Sequence, residues 1–205
     1  MVKSPGKKQK GFTLIELLIS LAIGSLALTA LYNFYISQSR LYVLQQQVSD
    51  MQQNARTGLD MMIREIRMAG FDPTGNAGAG IVAGTPTTIQ VTFDLNEDGS
   101  INDANEDIAY ALYDASGDGR LALGRKVAGG SMDPVADNFA SLAFSYTLLD
   151  GTVTENPSAA ELSKIRQVQV LLTSQTASPD SNYPDNEGYR TYTLKSLINL
   201  RNLTN

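Results

Sequence analysis

The residue placed at greatest chemical cost is Glu16. It sits near the start of an apolar run from Phe12 to Ile36, and nothing charged follows it between Leu17 and Ser39. A carboxylate in a bilayer core costs on the order of 3 kcal/mol or more unless it is neutralised or paired. Its chemistry is therefore that of an anion waiting for a cation. Lys3, Lys7, Lys8 and Lys10 precede it, a positive flank of the kind that is retained in the cytoplasm.

A second group of oxygens lies far along the chain, in Asp94-Leu95-Asn96-Glu97-Asp98-Gly99-Ser100-Ile101-Asn102-Asp103-Ala104-Asn105. Asp94, Asn96 and Asp98 fall at loop positions 1, 3 and 5, Gly99 provides the sharp turn, and Ser100, Asn102 and Asn105 continue the series. A hard cation such as Ca²⁺ takes six to eight oxygens, and calcium loops of the EF-hand type space them in this way. The departure is at position 12, where Asn105 replaces the bidentate glutamate; Glu106 is the next acid that could close the site. Ca²⁺ is thus the candidate cofactor, against the plainer reading of an acidic, solvated turn. Asp114, Ser116 and Asp118 repeat the opening of the pattern without a closing acid, and there a simple hairpin turn is the more economical reading.

What is missing narrows the chemistry further. The chain has 205 residues with no histidine, cysteine or tryptophan. That removes His-activated nucleophiles, His- or Cys-ligated zinc and disulfide staples. No catalytic residue is identified, and an enzyme is not expected. The formal net charge is −5. Loss of the four early lysines would take it to −9, which argues against direct contact with nucleic acid.

The elements that must position these groups follow from periodicity. Phe12 to Ile36 is long enough to span about 30 Å of hydrocarbon as a helix. Beyond Ser39 the apolar residues Leu41, Leu44, Val48, Met51, Ala55, Leu59, Met62 and Ile66 recur at three and four, one face of a helix. Gln45, Gln46, Asp50, Gln53, Asn54, Asp60 and Glu65 fall largely elsewhere. One helix is expected from Thr13 to Met68, uninterrupted because no proline lies between Phe12 and Asp72, and stopped by Ala69-Gly70 ahead of Pro73. Strands are expected at 88–93, 108–113, 121–127, 139–149, 165–173 and 189–203, separated by turns such as Asp150-Gly151 and Asn156-Pro157-Ser158. Residues 177–188 read as an exposed loop. The fold class is α+β, with a long N-terminal helix laid on an antiparallel sheet. The divisions are 1–11, a leader; 12–38, the spanning half of the helix; 39–70, its amphipathic half; and 71–205, a β-rich domain.

The segment Gly11-Phe12-Thr13-Leu14-Ile15-Glu16, behind a lysine-rich head, resembles the processing site of type IV prepilins. Simpler readings are an uncleaved anchor, or a secretory signal that the apolar run outlasts. The resemblance implies a pilin-like fold, cleavage by a prepilin peptidase between Gly11 and Phe12, and methylation of the new amino terminus. Glu16 then stands five residues into the mature chain, where it would pair with the amine of an adjacent subunit in a dry fibre core. Leu41-Tyr42, Met51-Gln52-Gln53-Asn54-Ala55-Arg56 and Arg64-Glu65-Ile66-Arg67-Met68-Ala69-Gly70-Phe71 look like the PilW family of minor pilins. That resemblance implies a single-pass inner-membrane protein with a periplasmic C-terminal domain. It would later enter a pilus fibre through a priming or tip complex, with other minor pilins and the major pilin as partners. The alternatives are a J-type minor pseudopilin of type II secretion and a membrane-anchored calcium-dependent adhesin.

Overall fold

The computed structural model describes residues 11–203. Helix α1 (Leu14–Met68) runs unbroken for 55 residues, one residue short of its expected start. Gly24 does not interrupt it, and the hydroxyls of Ser25 and Thr29 donate back to the carbonyls of Ala22 (2.8 Å) and Ser25 (2.9 Å). Folding polar groups onto the helix backbone in this way leaves them satisfied in an apolar surrounding. Two units divide at Gln45–Gln46. In the first, the apolar side chains of α1 lie on the surface, from Leu14 at 78% exposure to Tyr35 at 67%. This stretch is long and apolar enough to cross a membrane.

The second unit carries the core. Its strands are β1 (Ile81–Gly84), β2 (Ile89–Thr92), β3 (Asp107–Asp114), β4 (Leu121–Val127), β5 (Met132–Leu148), β6 (Val153–Thr154), β7 (Ile165–Gln175) and β8 (Thr191–Asn199). All pair antiparallel in the order β1-β2-β3-β4-β5-β7-β8, with the short β6 folded back on β5. The inward side chains of β2 to β8, among them Ile89, Tyr110, Leu123, Phe139, Phe144, Val170 and Ile198, close over Leu59, Met62 and Ile66 of α1. The α+β expectation therefore holds: one long helix covers an antiparallel sheet.

The buried stripe is shorter than its periodicity suggests. It begins at Met51 and continues through Ala55, Leu59, Met62 and Ile66. Leu41 is 50% exposed, and Leu44 and Val48 are only partly covered. Leu41 and Leu44 precede Gln46, in the unit that has no sheet of its own. Gly58 belongs to the stripe as well: a Cβ there would stand 2.6 Å from a methyl of Leu123. The helix accepts the roughly 1 kcal/mol weakness of glycine and approaches β4 closely in return. At the C-terminal end Gly70 adopts φ +81°, and its N–H donates to the carbonyl of Thr92 (3.0 Å), which passes the chain directly to the sheet.

Three strand features escaped the pattern. β1, Ile-Val-Ala-Gly, has no polar residue to alternate with, and β6 is only 2 residues long. β5 starts at Met132, not near Phe139, because Asp133-Pro134 and Asp137-Asn138 read as turns. Proline is tolerated there because the β4–β5 ladder is already irregular, with register shifts on both sides of Leu123 and Asn138 at φ +65°. The 177–188 segment is the connection between β7 and β8, mostly exposed, as expected.

Candidate functional site

The N-terminal site begins in exposed, irregular backbone. Gly11, Phe12 and Thr13 precede the helix, and a side chain at Gly11 would touch nothing within 4 Å. A peptide bond at Gly11–Phe12 is therefore open to a protease. The lysines at 3, 7, 8 and 10 lie outside the described residues. Glu16 is held by Thr13. One carboxylate oxygen accepts the Thr13 N–H (2.8 Å) and its hydroxyl (2.9 Å), while the Glu16 N–H donates to the Thr13 hydroxyl oxygen (3.3 Å). This reciprocal Thr-x-x-Glu arrangement is a capping box. It starts α1 and satisfies two otherwise orphaned N–H groups. Glu16 has local dipolar partners, and among the described residues no cation pairs with it. Thr13 was readable as a cap from its three-residue spacing to Glu16.

The acidic loop lies between β2 and β3. Asp94 is fully buried. Its carboxylate accepts the N–H groups of Asp98 (3.2 Å) and Gly99 (3.0 Å) and, at 3.4 Å, the hydroxyl of Thr74. Asp98 in turn accepts the Ser100 N–H (2.8 Å). The Asn96 amide nitrogen donates to both Asp98 (3.1 Å) and Asp103 (2.8 Å). Glu106 is buried too; one oxygen accepts the N–H groups of Leu95 (2.8 Å) and Asn96 (3.2 Å), and the other has no partner. Asn102 bonds the Ser100 hydroxyl through both its backbone and amide nitrogens (3.2 Å each). Asn105 faces elsewhere, accepting from Arg125 (3.2 Å). The fold thus gathers Asp94, Asn96, Asp98, Ser100 and Glu106, adds Asp103, which the spacing did not single out, and sends Asn105 away. Among the described residues no three His, Cys, Asp or Glu side chains form a metal-holding group by themselves.

The second loop reproduces the hydrogen-bond skeleton. Asp114 accepts from the N–H groups of Gly117 (2.7 Å), Asp118 (3.2 Å) and Gly119 (2.8 Å), and Asp118 accepts the Arg120 N–H (3.0 Å). That N–H, with the Ser116 hydroxyl, holds the Asp118 carboxyl below the usual carboxylate range. The Arg120 guanidinium lies 3.6 Å from Asp118. A side-chain cation already stands at this turn, and the β3–β4 hairpin needs no other.

A family profile described as the prokaryotic N-terminal methylation motif matches residues 6–32. Among solved structures the fold is similar to a type IV-like pilin from Thermus thermophilus, at 14% identity and a TM-score of 0.48, over 75% of this chain and 98% of that one. A search of curated protein sequences gives no match.

Proposed function

We infer from the N-terminal methylation motif and the helix-on-sheet architecture that this protein is a prepilin-type chain of the type IV pilin superfamily and a minor pilin of a type IV pilus. It is a substrate of a prepilin peptidase, not a catalyst. Cleavage frees an amine on Phe12, which carries a positive charge, and the same processing methylates it. The spanning half of α1 holds the subunit in the inner membrane with the β-rich domain outside the cytoplasm. From there it joins a priming or tip complex with other pilins, as the PilW-like stretches 51–56 and 64–71 suggest. The observation that carries this reading is the position of Glu16. It is the sole charge in the exposed apolar half of α1, local donors fix its carboxylate, and among the described residues no cation pairs with it. An amine from a neighbouring subunit would supply the charge, and in a dry helical core that pairing is far stronger than in water.

Mass spectrometry of sheared fibres and of the membrane fraction tests the reading. The N-terminal peptide is expected to begin at methylated Phe12. Glu16→Ala should be cut normally yet enter fibres at least about tenfold less, the consequence of losing some 1.4 kcal/mol of assembly energy. A mature terminus elsewhere, or normal incorporation of that variant, overturns it. Deletion of the gene separates the pilus from the secretion reading: the first requires loss of pili, the J-type pseudopilin reading loss of secretion.

A further inference from the structure

Two carboxylates are buried in the β2–β3 loop. Asp94 is 0% exposed and Glu106 1%, and Glu106 reaches the backbone of Leu95, the residue next to Asp94. No ion pair reaches either among the described residues. Arg125, which touches Asn105 in the same loop, spends its charge on Glu65 (3.1 Å). Burial of a carboxylate without a counter-charge is costly. The backbone donors around Asp94 ease part of this. They leave one Glu106 oxygen with no partner at all.

We propose that this loop binds a calcium ion, anchored by the free oxygen of Glu106 and the carboxylate of Asp94. Asn96, Asp98, Asp103 and Ser100 supply further oxygens from the loop's exposed side. A carboxylate offers about four lone-pair sites, so Asp94 retains capacity beyond its three donors. The Asn96 amide nitrogen now stands between Asp98 and Asp103, a point of negative potential that a cation would occupy better; rotation of that amide presents its oxygen instead. Hard oxygen donors from an irregular loop suit Ca²⁺ over Mg²⁺, which demands octahedral regularity. Absence of histidine and cysteine from the sequence removes the ligands that softer metals prefer. The β3–β4 loop is the internal contrast. It has the same Asp-x-x-x-Asp-Gly skeleton, but it is exposed, it has no closing acid, and Arg120 already pairs with Asp118. The proposal is independent of the assembly role inferred for Glu16.

The test is a calcium titration of the full-length protein, purified in detergent and stripped with chelator, read by calorimetry and by thermal unfolding. One equivalent is expected to bind, with a Kd on the order of 10⁻⁴–10⁻³ M or tighter. The melting temperature should rise by about 5 °C once calcium exceeds Kd some twentyfold. Glu106→Gln keeps an acceptor for the Leu95 and Asn96 N–H groups but removes the charge, and should weaken binding at least about tenfold. Asp98→Asn, at an exposed position, should weaken it as well and serves if the first variant unfolds. Asp114→Asn should bind like the parent. Neither heat nor a thermal shift at about 10 mM calcium, or unchanged binding by both loop variants, or loss of binding in Asp114→Asn, would each overturn the proposal.

Discussion

The join between helix and sheet rests on Glu65, and its removal gives a sharp prediction. Its carboxylate accepts the hydroxyl of buried Tyr110 on β3 and pairs with Arg125 on β4, whose Nε lies 3.1 Å from both oxygens. Both charged side chains are about one-fifth exposed, 18% for Arg125 and 20% for Glu65. The pair therefore falls between a surface bridge, worth below about 1 kcal/mol, and a buried one, whose breakage costs about 3–5 kcal/mol. Roughly 2 kcal/mol is assigned to it. Glu65→Ala also leaves the Tyr110 hydroxyl buried without an acceptor, a further cost of about 1 kcal/mol at the low end of the range. The sum of about 3 kcal/mol should lower the melting temperature of the Gln46–Asn205 unit by roughly 6–12 °C. A double-mutant cycle isolates the hydroxyl. Tyr110→Phe should cost about 1 kcal/mol in the parent but recover about 1 kcal/mol in the Glu65→Ala background, because it removes a hydroxyl that is already buried without a partner there. The measurement is thermal unfolding of full-length protein in detergent, followed by far-UV circular dichroism. A Glu65→Ala melt within about 2 °C of the parent, or equal costs of Tyr110→Phe in both backgrounds, would refute the reasoning.

Other consequences follow from the same packing. Burial raises the Tyr146 phenol well above its ordinary value of 10.0, although its hydroxyl donates to the carbonyls of Thr85 (2.9 Å) and Thr88 (3.1 Å). Burial raises the Tyr110 phenol too, with the Glu65 hydrogen bond and charge adding to it. A raised folded value gives stability that is complete below the unfolded value and is lost as pH climbs beyond it. Above pH 10 each tyrosine should thus remove about 1.4 kcal/mol per pH unit. Urea midpoints from pH 9 to 11 should fall less steeply for Tyr146→Phe than for the parent; parallel slopes count against this account. Gly58→Val forces a branched side chain against Leu123, where even a Cβ meets a methyl at 2.6 Å. It should cost about 1–3 kcal/mol, while Gly24→Val, at a position with nothing within 4 Å, should leave the melting temperature of the β-rich unit unchanged.

Much of the architecture was visible in linear order because it depends on local periodicity. A 3.6-residue repeat over Met51 to Ile66 can only be one face of a helix, and the Ala69-Gly70 stop is a local backbone preference. The strands at Ile89–Thr92 and Ile165–Gln175 carried their alternation openly, and Leu121–Val127 was marked by the Gly-rich loop ahead of it. The β5 extension through Pro134 did not, because tolerance of a proline depends on a bulge in the neighbouring strand. Glu65 read as a solvent-facing acid for a related reason. Its partners are 45 and 60 residues away, and no pattern along α1 announces them.

The chain alone therefore carried an N-terminal methylation motif, a first helix with a stretch apolar enough to span a membrane, and one acid inside that stretch. Each of these depends only on neighbours within a few residues. Tertiary structure decided the rest: that Asp94 and Glu106, twelve positions apart, are buried together while Asp114 stays at the surface, and that Asn105 turns to Arg125 and not into the loop. Burial and counter-charge are set by what a fold brings alongside a side chain, and spacing along the sequence does not contain that information.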